Sequence, residues 1–288
     1  MQVAPGPSED NMWASGGLPA GVPAPDPKPK EALGLGQLPT ELLEMVLVHV
    51  PPHTLLGHCR QVCRRWRDLV DGQHLWLSVL ARDHAALSPI LRTYLPPADD
   101  PRPCVLGRFC ERRPIGRNLL QKPKGEEDFL KWPVLSGGDT WAAEENGEDS
   151  PRACMQTSFL SSYRWCQKKQ VLNLEEEGFW PELLDSGKLE ICVSAWWTDR
   201  QYTNSLYRLI VQLLDANQAV LHHYSPLPFP IQQCRNSFSF EASHVFSNLK
   251  KGVRFVSLEH WVPDIDFWPE QYGFYLFNSS VIVRVRLS

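Results

Sequence analysis

The chain has 288 residues, 43% of them hydrophobic and 22% charged, with a formal net charge of −4 at pH 7. That length suits about two domains of ordinary globular composition. No apolar run reaches about 18 residues and no leader pattern opens the chain, so a membrane anchor is not expected and the protein is read as cytoplasmic.

Residues 1–36 are rich in Pro, Gly and Ala, with Trp13 the one aromatic. Such a segment buries too little to offset its ordering entropy, and a disordered tail is expected. Next comes Leu38 to His84. Pro39 suits a helix's first turn, where its missing N–H costs nothing. Leu42, Leu43, Val46, Leu47 and Val50 then recur at helical spacing. Pro51 and Pro52 stop this helix, and Thr54 reads as the N-cap of a second one carrying Leu55, Cys59, Val62, Cys63, Trp66, Leu69 and Val70. Gly72 breaks that helix, and a third segment carries Leu75, Trp76, Val79 and Leu80.

Three short helices cannot bury this much apolar surface among themselves, because so small a unit is marginal alone. Either the rest of the chain sheathes it or another protein does. The order Leu38-Pro39, Glu41-Leu42-Leu43, a proline break, Val62-Cys63-Arg64-Arg65-Trp66 and Leu75-Trp76 resembles an F-box across residues 37–84. The resemblance implies docking on the Skp adaptor of a cullin-RING ubiquitin ligase. It assigns the adaptor face to Leu38, Pro39, Leu42, Leu43, Val46, Leu47, Val62, Trp66 and Trp76. The basic cluster Arg64-Arg65-Trp66-Arg67 has Asp68 and Asp71 beside it, which argues against nucleic acid as a partner.

Residues 85–103 continue as a helical linker to a break at Pro96-Pro97, with Ile90, Leu91 and Leu95 making a stalk. Cys104, Leu106, Phe109 and Cys110 predict a short amphipathic helix. The run Glu175-Glu176-Glu177 reads as a solvated helix face. Strands are predicted from Cys154 to Trp165, from Leu189 to Trp197, from Tyr207 to Leu213, over Val220 to Tyr224, Phe238 to Leu249, Val253 to Trp261 and Val281 to Leu287. Many short strands without alternating helices predict an antiparallel β-sandwich over 104–288, and an α+β chain overall. The eight scattered cysteines form no CxxC pair, so free thiols are expected and neither zinc nor any cofactor.

No GxSxG, HExxH, P-loop or GxGxxG pattern is present, so catalysis is not expected. His222-His223 point to opposite strand faces, and Asp264 and Asp266 lack a third carboxylate. Aromatics beside turns stand out instead, notably Phe267-Trp268-Pro269. Such rings serve interfaces and the apolar face of a sugar.

Arg113-Pro114-Ile115-Gly116-Arg117-Asn118-Leu119, Tyr163-Arg164-Trp165-Cys166, Trp180-Pro181-Glu182-Leu183-Leu184-Asp185 and Gly252-Val253-Arg254-Phe255-Val256 resemble the F-box-associated domain of the sugar-recognising F-box proteins. The resemblance implies a jelly-roll, galactose-binding-like sandwich that grips the inner chitobiose of N-glycans on misfolded glycoprotein clients. It places the supporting aromatic on Tyr163 and the stacking indole on Trp268. It also marks three departures: Tyr202 where the family has Asp, Phe267 for Tyr and Pro269 for Lys. Losing a charged hydrogen bond worth about 1.5–3 kcal/mol costs one or two decades of affinity.

Overall fold

Proline and backbone geometry punctuate the helical part. The computed structural model describes residues 34–97, 100, 102, 104–120, 134–136, 141–144, 158–161, 166–199, 206–226, 229–230, 239–262 and 274–286. The tail expectation therefore lies, up to residue 33, outside the described residues. After a 3-10 turn at Leu35–Gln37, α1 spans Thr40–Leu47. Then α2 (Pro52–Thr54), a π turn (Leu55–Cys59) and α3 (Arg60–Val62) run on, followed by α4 (Arg64–Asp71), α5 (Gln73–Asp83), α6 (Ser88–Thr93) and α7 (Val105–Arg112).

Two expectations change here. The second helix begins at Pro52, with Pro51 in the capping position, so Thr54 is inside it and makes no cap bond. The helix is also interrupted at Cys63, whose φ of −161° and ψ of 174° are extended. Gly72 ends α4 as predicted.

Helix α7 belongs to the helical wall. A Cβ on Gly107 would sit 2.7 Å from Trp76 Cζ2 and 3.0 Å from Leu56 Cδ2, so only glycine lets α7 approach α5 this closely. On its other side Phe109 meets Trp180 edge-on, with ring centroids 5.4 Å apart. Gly178, at φ +106°, also leaves room here, since a Cβ on it would sit 3.3 Å from the Phe109 Cα.

The remaining elements form two antiparallel sheets. Strands β1 (Val134–Ser136), β4 (Cys166–Asn173), β10 (Phe255–Val262), β6 (Leu206–Leu214) and β7 (Val220–Tyr224) lie side by side in that order, with β8 (Phe229–Pro230) also pairing β6. The second sheet runs β2 (Trp141–Glu144), β3 (Ser158–Ser161), β11 (Phe274–Val285), β5 (Leu189–Asp199) and β9 (Ser239–Phe246). Alternation holds along the last strand: Val281 and Val283 are buried while Arg284 is exposed. Short helix α8 (Pro181–Leu184) leads into β5.

The segment around Asn118 completes the edge of β11. Asn118 Nδ2 donates to the carbonyl of Ser279, and its Oδ1 accepts from the N–H of Val281 and of Leu120. The glutamate run is a hydrogen-bonded turn rather than a solvated helix face. Glu177 is buried and bonded to Arg117, while Glu175 accepts from Arg102 at 2.7 Å. Arg254 lies 3.4 Å from Glu175 and holds Asp185 at 2.9 Å. Burial would raise the Asp185 pKa, but the bonds from Arg254 and the Gly252 N–H hold it below the usual carboxylate range.

Candidate functional site

Helix α1 divides its apolar residues between two faces. Leu43 and Leu47, four apart, are 0% and 1% exposed. Leu42, Met45 and Val46, spaced i, i+3 and i+4, form the opposite face at 49%, 66% and 43% exposed. Val62, at the end of α3, is 61% exposed. Trp66 is half-buried, Leu38 half-exposed and Pro39 exposed.

Of the residues assigned to an adaptor face, Leu43, Leu47 and Trp76 therefore lie in the interior of this chain. Leu43 and Leu47 back the exposed residues of α1, because the 3.6-residue turn cannot send positions 42 and 43 the same way, while Trp76 lies against Gly107 of α7. Trp76 also spends its indole N–H on the carbonyl of Val70 at 2.6 Å. Met45 was missed by sequence reasoning; its spacing from Leu42 and Val46 was the available signal.

Polar groups lock this face in place. Arg65 Nη2 donates to Thr40 Oγ1 at 3.2 Å, and Arg82 Nη1 donates to the carbonyl of Val48. Arg60 and Asp71 pair at 2.7 Å. The Cys104 thiol donates to Asp71 Oδ1, and burial followed by that carboxylate pushes its pKa up to about 12, so it acts as a donor and not a nucleophile.

The second region is one end of the two sheets. Cys166, starting β4, pairs with Val262, ending β10; Trp261 pairs with both Gln167 and Arg208 near the start of β6. In the other sheet Phe274, starting β11, pairs with Ser161 ending β3 and Asp199 ending β5. These strand ends bound residues 162–165, 200–205 and 263–273. The sugar-contact assignments Tyr163, Tyr202, Phe267, Trp268 and Pro269 fall in those three segments and lie outside the described residues.

Just inside those strand ends sit three buried titratable side chains. Tyr207 Oη lies 2.8 Å from His260 Nδ1. Burial, followed by the charge of Lys168, pushes the His260 pKa down to about 3, and burial lowers Lys168 to about 7. Among the described residues no three His, Cys, Asp or Glu gather to hold a metal ion, and no helix is long and apolar enough to cross a membrane.

Comparison with known proteins covers both regions. An F-box-like model matches residues 35–82, and the F-box associated region model matches residues 110–283. The chain is 59% identical to F-box only protein 27 of Macaca fascicularis, over 96% of this chain and 99% of the relative. It is 44% identical to human F-box only protein 17, over 89% and 95%. Among solved structures, the CBM22-1 xylan-binding domain from Paenibacillus barcinonensis Xyn10C overlays 55% of this chain and 87% of its own, at a TM-score of 0.31 and 10% identity.

Proposed function

Since the chain belongs to the F-box proteins that carry an F-box associated region, we propose that it is the substrate-recognition subunit of a Skp–cullin–F-box ubiquitin ligase whose clients are N-glycosylated, misfolded glycoproteins. The observation that carries this reading is the uncovered row Leu42, Met45 and Val46 on a helix whose other face is fully buried. Exposed apolar side chains grouped on one helix face suit capping by a partner. The Skp adaptor covers that row and Val62; Leu38, Pro39 and Trp66 are assigned to the adaptor by the family resemblance. Ubiquitin transfer is carried out by the partners, while this chain brings the client near and needs no cofactor.

The client end is assigned to Tyr163, Tyr202, Phe267, Trp268 and Pro269. In support, the strand ends bounding all three of their segments meet at one end of the sheets. Stacking by Trp268 and a hydroxyl from Tyr202 take the place of the family's fuller set of polar contacts.

Adaptor binding is tested by Leu42→Asp with Val46→Asp. Both positions are exposed, so the fold is kept, and recovery of adaptor and cullin from cytoplasmic extract falls to background. Undiminished recovery would remove the ligase reading. Lack of adaptor and cullin with the unaltered chain leaves a lectin-like chaperone outside the ligase. For the client end, chitobiose is titrated against the chain with Trp268→Ala as control. Absence of binding to the unaltered chain replaces the glycan with a protein epitope.

A further inference from the structure

The inner face of the six-stranded sheet grades from apolar to polar toward the end assigned to the client. Across β4, β10 and β6 the rungs are Leu172–Val256–Leu213, then Gln170–Leu258–Val211, then Lys168–His260–Leu209. All nine side chains are buried, at 0–8% exposed. Beyond Leu209, Tyr207 is 1% exposed and joined to His260 at 2.8 Å. From the opposite sheet Trp197 lays its ring 4.2 Å from that of Tyr207.

Burying an amine, an imidazole and a phenol is costly, and leucine and valine fill the equivalent positions at the far end of the same strands. The polar residues are gathered where Cys166, Val262 and Leu206 hand the chain to residues 162–165, 263–273 and 200–205. A hydrogen bond in a low-dielectric interior is directional and holds two strands in a single arrangement, which apolar contact does less well. The imidazole can meet the Tyr207 hydroxyl in either tautomer, so the pair stays joined.

We propose that Tyr207 and His260, with Lys168 beside His260 on the next strand, are positioning residues of the client-binding end: a buried polar floor, joined by the Tyr207–His260 hydrogen bond, that sets the strand ends and thereby ligand affinity, without touching the ligand. This rests on reading that end as the client site.

The test uses the full chain with Tyr207→Phe, His260→Asn and the double variant, and Lys168→Met in the event that Tyr207→Phe fails to fold. Tyr207→Phe removes one oxygen and keeps the ring against Trp197. Amide exchange without ligand is followed at 162–165, 200–205 and 263–273, with 281–285 as the internal reference, alongside chitobiose titration. Exchange at the three segments rises about fivefold while the reference is unchanged, and chitobiose binds about fivefold more weakly. The double variant is no worse than either single one, because one bond is shared. Exchange that is unchanged at the three segments, or raised equally in the reference, overturns the inference. If the unaltered chain does not bind chitobiose, the glycan reading falls, and the exchange result alone still decides the role of the floor.

Discussion

The indole nitrogen of Trp180 donates to the backbone carbonyl of Tyr94 at 2.6 Å, joining residues 86 apart in sequence. Tyr94 caps α6, and Trp180 precedes α8 at the entrance to β5. The linker expected to be a stalk is therefore fastened to the sheets. Leu91 is 1% exposed, and Arg102 bonds Asp100 and Glu175. Trp180→Phe keeps the ring against Phe109 but leaves the Tyr94 carbonyl without its buried donor. A loss of about 1–3 kcal/mol is expected, read as a lower urea midpoint at constant slope.

Gly107→Val tests the wall between α7 and α5. The added carbons meet the six-membered ring of Trp76, which is itself held by the Val70 carbonyl and cannot swing away. Overpacking should cost about 1–3 kcal/mol, seen as a lowered Tm with a shifted Trp76 fluorescence signal. An unchanged Tm would mean that the wall is loose.

Asn118→Ala removes one donor and one acceptor that together serve Ser279, Val281 and Leu120. We expect about 2–3 kcal/mol of destabilisation, with amide exchange quickening first at Val281. Asn118→Asp keeps the bonds from Val281 and Leu120 and should lose less.

Stability should rise with pH in two windows. Lys168 titrates at about 7 in the fold against 10.5 for a free side chain, because burial disfavours its charge. Between those values the unfolded chain holds the extra proton, so raising pH favours the folded state. His260, pushed to about 3 by burial and then by Lys168, behaves alike between about 3 and 6.5, and its stabilisation is lost as the solution is acidified. Lys168→Met should flatten the upper window in urea titrations and leave a slope in the lower one.

Much of the helical part was legible because its signals are local. The prolines at 51 and 52, Gly72 and the spacing of Leu43, Leu47, Leu75 and Trp76 stop or start helices through their own backbone chemistry. Strand alternation around Val281 and Val283 is equally local, since neighbouring side chains must point to opposite faces. The extended Cys63 and the π turn before it carried no such signal.

Sequence by itself determined which residues are apolar, the stops at Pro51, Pro52 and Gly72, the alternation of the later strands, and the resemblance to an F-box joined to a sugar-recognising sandwich. Tertiary structure alone decided that Leu42, Met45 and Val46 stay outside while Leu43, Leu47 and Trp76 go in, and that Glu175 and Glu177 meet arginines from distant segments. It also brought Lys168, Tyr207 and His260 onto adjoining strands. The physical reason is that hydrophobicity and charge belong to a residue, whereas burial and pairing belong to whatever the folded chain sets against it.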